Sequence, residues 1–280
     1  MRVLSDRDQD DLEEFLKQHA DSSMFLRSNA RAAGLQYRGE PLQADYVAAF
    51  DGGRVVAVAA HCWNGVVLVQ APVRLGDVVR EVVRQSGRGI IGLSGPAAQV
   101  RAALAVLGLE HRPAPTLGHD ELFALDLAHL VVPAPLADGR WVCRRPREYE
   151  LELLTDWRVG FFLEALHGAD GPDVRDACRA EVRLMRAQGS DWMLTDRDQP
   201  VSYSNFNARL PGMVQIGGVW TPPELRGRGY GGAVVAGSLL AARGEGVTRA
   251  VLFAERDDAK RAYRRIGFRA VGEYGVVLFQ

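Results

Sequence analysis

Residues 214–232 read V-Q-I-G-G-V-W-T-P-P-E-L-R-G-R-G-Y-G-G. The first seven residues form a short apolar run containing β-branched side chains, which predicts a strand. Thr221, Pro222 and Pro223 break it, and the segment Arg226-Gly227-Arg228-Gly229-Tyr230-Gly231 follows at once. Beyond the glycines, Ala233, Val234, Val235, Leu239 and Leu240 recur at helical spacing, and Gly244 and Gly246 punctuate the end. The stretch therefore predicts a strand, a tight glycine loop and a helix N-terminus.

That order has a chemical use. The first N–H groups of a helix have no carbonyl partner inside it, and the helix macrodipole places partial positive charge there. Glycines remove the Cβ atoms that would hold an anion away, and they accept the positive φ that turns successive N–H groups inward. Arg226 and Arg228 add full positive charge. A phosphate or pyrophosphate suits such a site.

The pattern Arg226-x-x-Gly229-x-Gly231 resembles the acetyl-CoA signature of the GCN5-related N-acetyltransferases (GNAT), written R/Q-x-x-G-x-G/A. A second resemblance follows in the order that family uses. Residues 250–254 predict a strand running into a helix over 257–266, which closes as Ala259-x-x-x-Tyr263-x-x-x-Gly267-Phe268 ahead of a final strand. The glycines also spell G-x-G-x-x-G through Gly227, Gly229 and Gly232, with Glu255 at a strand end beyond, as a dinucleotide-binding oxidoreductase would need. Against that alternative, residues 221–226 separate strand from first glycine, and one more helix and strand are too few for a doubly wound sheet.

The rest of the chain sets the bounds. Its 280 residues suffice for one large domain or two ordinary ones. Hydrophobic residues make up 47% and charged residues 25%, with a net charge of −1, so bulk electrostatics call for neither nucleic acid nor an anionic membrane. Lys17 and Lys260 are the only lysines, and the arginine excess carries no functional inference. Cys62, Cys143 and Cys178 lack metal or disulfide spacing, which fits a reducing cytoplasm. The histidines 61, 111, 119, 129 and 167 show no metal spacing either, so no metal is expected. The N-terminus does not read as a signal peptide, and no apolar run reaches membrane length.

Read outward, the first half predicts a strand at 2–4, a helix to about residue 19 opened by Ser5 and Asp8, and a helix over 23–33 ended by Gly34. Strands follow over 46–50, 54–63 and 66–70, the last two turning at Asn64-Gly65. A helix over 75–85, a strand over 89–93, a helix over 96–107 and a strand over 122–127 complete it. The proline-rich stretch 131–139 predicts a linker.

The second half repeats that order: a strand over 141–144, helices over 148–167 and 173–188, and a meander of 192–195, 201–207 and the signature strand. The expected fold is mixed α/β: two tandem acetyltransferase-like domains, each a mostly antiparallel mixed sheet flanked by helices. They would span 1–132 and 141–280, joined by 133–140. In the first copy, Ala71-Pro72-Val73-Arg74-Leu75-Gly76 has one glycine where the second has four, and Leu104 stands where the second has Tyr263. The first copy is thus expected to be degenerate.

The resemblance assigns roles by position. Main chain at Val219 and Thr221 would meet the pantetheine arm of acetyl-CoA, and the N–H groups of Arg226, Gly227, Arg228, Gly229, Tyr230, Gly231 and Gly232 would hold its pyrophosphate. Tyr263 would protonate the departing thiolate, a phenol having a pKa of about 10. Seven residues earlier the family often has asparagine; Arg256 departs from that and would reach the nucleotide phosphates instead. The general base stays open between Glu164, in the helical segment that walls the acceptor, and Glu255. Tyr203, Asn205 and Asn207 alternate on one strand and share a face, so they would line the acceptor pocket. The implied activity is acetyl transfer from acetyl-CoA to a small-molecule or peptide amine by direct attack in a ternary complex. A non-catalytic acyl-CoA sensor or partner-binding module is the alternative, and oligomeric state is not legible.

Overall fold

The computed structural model describes residues 1–114, 116–166 and 168–279, and at 116–119 the backbone alone. The chain divides into two compact units, Met1–Leu122 with Val271–Gln280, and Phe123–Ala270.

In the first unit β1 (Arg2–Val3), α1 (Gln9–Lys17) and α2 (Met24–Ala33) precede β2 (Ala44–Asp51), β3 (Arg54–Cys62) and β4 (Val66–Gln70). Then come α3 (Leu75–Ser86), β5 (Gly92–Pro96), α4 (Ala97–Leu107) and β6 (Thr116–Asp126), whose residues from Phe123 on belong to the second unit. β1 to β4 pair antiparallel and β4 pairs parallel with β5. Alternate residues of β2 feed two cores. Tyr46 and Ala48 join Leu12, Leu16 and Leu26 of α1 and α2, while Val47 and Ala49 join Val79 and Ala103 of α3 and α4. Burial on both faces is why β2 reads as a nearly continuous apolar run.

In the second unit the proline-rich stretch holds one helical turn, α5 (Ala134–Ala137), before β7 (Trp141–Arg144). Helices α6 (Leu151–Ala165) and α7 (Val174–Ala187) lead to the meander β8 (Asp191–Asp196), β9 (Gln199–Leu210) and β10 (Met213–Trp220). The chain continues through α8 (Tyr230–Gly244), β11 (Arg249–Ala254), α9 (Asp257–Arg265) and β12 (Arg269–Leu278). One face of this sheet, with Val214, Ile216 and Phe206, packs on Val234, Leu239 and Tyr263 of α8 and α9. The other, with Met193, Tyr203 and Trp220, packs on Leu154, Trp157 and Val182 of α6 and α7.

The mixed α/β class and the repeated order of elements match the expectation; the strand expected over 122–127 begins earlier, at Thr116, and two further differences bear on packing. The strand expected over 89–93 lies instead at Gly92–Pro96. Its sequence, G-L-S-G-P, lacks the β-branched signature because the backbone needs room: a methyl on Gly95 would lie 2.5 Å from the Val69 carbonyl oxygen. The last strand also departs from a simple second domain. β12 pairs antiparallel with β5 through Tyr274↔Pro96 to Leu278↔Gly92, and from Val271 on it belongs to the first unit. His167, the predicted end of α6, lies outside the described residues, as does the His119 side chain.

Candidate active site

The site is a cavity of about 400 Å³ in the second unit, walled by the end of β10, the glycine loop, the start of α8, α9 and the end of α6. It begins where β10 leaves β11. These parallel strands pair through Met213↔Arg249, Val214↔Ala250 and Gln215↔Val251, and the ladder stops there although β10 runs on to Trp220. Main-chain groups at the end of β10 are thereby released from pairing with β11, and Val219, Trp220 and Thr221 line the cavity. The Ser202 hydroxyl steadies this strand end, 2.9 Å from both the Trp220 carbonyl and the Thr221 hydroxyl.

The glycine loop has the predicted shape. Gly227 (φ 78°) and Gly229 (φ 88°) are left-handed, and Gly229 caps α8, its carbonyl accepting the first helical bond from Ala233 N–H at 3.1 Å. The N–H groups of Tyr230, Gly231 and Gly232 thus occupy the first turn, where a helix offers no internal acceptors. A methyl at Gly231 would project toward Thr221 Oγ1 (3.6 Å) and Val219 Cγ1 (3.9 Å), into the gap between loop and strand. The Tyr230 side chain points away from that gap: it is buried, donates to Asp196 at 2.6 Å and packs edge-on against Trp141. Its contribution to an anion site is its backbone.

The charged wall is built through Gly160. A methyl there would lie 2.7 Å from Cζ2 of Trp220, so glycine lets α6 settle against the ring. One turn later Glu164 reaches the loop. It accepts from Arg226 Nη1 and Nη2 at 2.7 and 2.8 Å and from Arg256 Nη1 at 3.0 Å. Arg226 also donates from Nε to the Thr221 carbonyl (3.0 Å) and lies over the Trp220 ring, 4.9 Å from its centroid. Arg256 is shared with Asp258. The Arg226 guanidinium holds the Glu164 carboxyl below the ordinary glutamate range. Arg228 does not line the cavity; its side chain donates to the Glu224 carbonyl at 3.3 Å.

Tyr263 lines the cavity from α9, 7% exposed and edge-on to Phe268 at 6.2 Å. Burial pushes its phenol above the ordinary tyrosine value, so it keeps its proton throughout the neutral range. Tyr203 and Asn205 do share a buried face, but neither lies on the cavity wall. Tyr203 packs beneath α6 and α7 with its hydroxyl 3.4 Å from Met185 Sδ, and Asn207 is exposed. Glu255 is exposed and is not a lining residue. Asp258, Arg261 and Arg265, all on α9, also line the cavity although no motif marks them; the four-residue spacing of the two arginines is the available signal in the sequence.

The strand-loop-helix counterpart in the first unit is closed. Ala71 N–H, just after β4, donates to Gln99 Oε1 at 2.6 Å, and Arg74 (φ 52°) stands at the helix cap where the second unit has Gly229.

Residues 151–268 match the family model described as the acetyltransferase (GNAT) family. This segment is a GNAT acetyltransferase domain. Proteins of the family use acetyl-CoA. No curated protein matches the sequence. Among solved structures, a GCN5-related N-acetyltransferase from Kribbella flavida is 16% identical, with a TM-score of 0.58 over 93% of this chain and 94% of that one. Another from Sphaerobacter thermophilus, also 16% identical, gives a TM-score of 0.60 over 99% and 93%. A tandem GNAT protein from the clavulanic acid biosynthesis pathway, 16% identical, gives 0.50 over 98% and 96%. These likenesses are of fold, and they extend the GNAT architecture across both units. The sheet of the GNAT domain, antiparallel around β8 to β10, is not that of a doubly wound dinucleotide fold.

Proposed function

We propose that the second unit transfers an acetyl group from acetyl-CoA to the nitrogen of a small-molecule or peptide amine, by direct attack with both substrates bound. The observation that carries this is the backbone cradle at the start of α8, set beside a strand whose pairing with β11 stops short. The cradle supplies unpaired N–H groups for a diphosphate, and the free end of β10 supplies a peptide edge for an extended amide chain. A Cβ at Gly231 would intrude on that path, so the residues present fit the carrier.

The chain's own groups then have defined tasks. The Val219 N–H, on the strand end, polarises the thioester carbonyl. The amine, having lost its ammonium proton to solvent, bonds through nitrogen to the carbonyl carbon; as the carbon–sulfur bond breaks, Tyr263 delivers its proton to the sulfur, and the phenolate regains one from the attacking nitrogen through water. A buried phenol that is never ionised at neutral pH is suited to that donation. Glu164, ionised and held by two arginines, acts as a charge partner rather than as the base. The three free cysteines suit a reducing cytoplasm.

A thiol-release assay with acetyl-CoA over a panel of amines tests the proposal, paired with thermal shifts by coenzyme A and NADH. Stabilisation by coenzyme A with turnover of at least one amine supports it. Coenzyme A binding without turnover of any amine would favour an acyl-CoA sensor instead, and stabilisation by NADH alone would refute it.

A further inference from the structure

We infer that Arg261 and Arg265 of α9 recognise a third phosphate, the one on the ribose 3′ oxygen of coenzyme A, so that the enzyme selects the complete coenzyme over shorter pantetheine thioesters. The inference rests on the acyl-CoA function proposed above and adds the element that sets carrier specificity. Four arginines line the cavity, at 226, 256, 261 and 265, against two carboxylates, Glu164 and Asp258. The two groups of arginines differ. Arg226 and Arg256 are held by Glu164 and Asp258. Arg261 and Arg265 are exposed and, among the described residues, have no hydrogen bond or ion pair.

Their placement gives the free pair a direction. Residues four apart on a helix stand on one face, about 5–6 Å apart at Cβ. The neighbouring residue, Ala262, is the contact between helices: a methyl at Gly232 would meet the Ala262 carbonyl oxygen at 3.5 Å and Ile266 Cγ2 at 3.8 Å. Arg261 and Arg265 therefore line the same cavity as the glycine loop and the first turn of α8. Four arginines less two carboxylates leave the lining with a net charge of +2. The cradle N–H groups and Arg226 serve a diphosphate, and the α9 pair is left facing the cavity with no internal anion. A phosphate monoester carries about two negative charges and three acceptor oxygens, which suits a pair of guanidinium forks.

The test is isothermal titration of the full chain with coenzyme A and with 3′-dephospho-coenzyme A, for the native protein, R261Q, R265Q and R261Q/R265Q. Glutamine keeps helix propensity close to that of arginine. The native protein is expected to bind coenzyme A about tenfold or more tightly than the dephospho form, as charge-assisted hydrogen bonds imply. The double variant should lose that preference by weakening coenzyme A alone. Equal binding of both ligands by the native protein overturns this inference and leaves the acyl-CoA function standing, as does equal weakening of both by the double variant. Failure of the native protein to bind coenzyme A overturns both.

Discussion

Glu164 occupies the place where an anionic ligand would be expected to contact Arg226, and removing its charge should tighten carrier binding. Its carboxylate takes three hydrogen bonds, at 2.7, 2.8 and 3.0 Å, from Arg226 and Arg256. The side chains of Glu164, Arg226 and Arg256 are 38%, 29% and 55% exposed, so water screens the network. Exposed ion pairs contribute about 0.2–1 kcal/mol each, which puts the whole latch at about 1 kcal/mol rather than at the gross strength of three charged bonds. Glutamine at 164 keeps the shape but releases most of that restraint. The expected result is a coenzyme A dissociation constant about three- to tenfold lower than native in low salt, the gap narrowing as salt rises. The pH dependence has a definite sign. The folded carboxyl is depressed below its unfolded value of about 4.3, so the latch is complete above that pH and is lost only as pH falls through the lower folded value. The advantage of E164Q should therefore be level between pH 5 and 8. Titration calorimetry across that range decides the matter. Equal or weaker binding by E164Q would show that the carboxylate positions Arg226 for the ligand instead of competing with it.

Three further outcomes follow from the geometry. Tyr263→Phe should slow thiol release about 10²-fold or more while leaving the coenzyme A dissociation constant near native, and unchanged turnover would remove the phenol from the mechanism. Gly218→Ala should cost about 1–3 kcal/mol in denaturant unfolding, because residue 218 sits at φ 56° with Asn205 Oδ1 where a Cβ would go; a neutral effect would mean that the backbone at 218 rearranges freely. Asp8→Asn should destabilise by about 1–3 kcal/mol at pH 7, since the buried carboxylate accepts from Arg2 and from Ser5 N–H. The Asp8 carboxyl is depressed, so that stabilisation is complete above about pH 3.9 and fades as pH drops through the folded value. Urea midpoints of the two proteins should accordingly converge in acid; a gap independent of pH would contradict the ion pair.

What could be read in advance was local. Gly227 and Gly229 are needed because the loop turns through positive φ, and the spacing from Arg226 to Gly231 records that need. The hairpin turn at Asn64-Gly65, with Gly65 at φ 76°, is legible for the same reason. The apolar pattern predicts β5 three residues too early, because the adjacent Ile90 and Ile91 carry a stronger apolar signal than G-L-S-G-P. Yet Ile91 is half exposed, while Leu93 is fully buried. Close backbone approach, at Gly92 to the Val277 carbonyl and at Gly95 to that of Val69, selects small residues and erases the usual strand signature.

The charged half of the cavity was illegible for a different reason. Nothing near Glu164 in sequence announces that it will meet Arg226; the meeting depends on α6 lying close enough to Trp220, which depends in turn on the missing side chain at Gly160. The arginines of α9 show the converse. Arg261, Arg264 and Arg265 are equivalent in composition, but the helix turns Arg264 over the Phe123 ring and leaves the other two at the cavity. A backbone cradle is written as a run of neighbours, whereas side-chain electrostatics are fixed by which helix faces what. The proposed diphosphate site is therefore legible from glycines alone, whereas the charged groups beside it, the Glu164 latch and the arginine pair of α9, emerge only from packing.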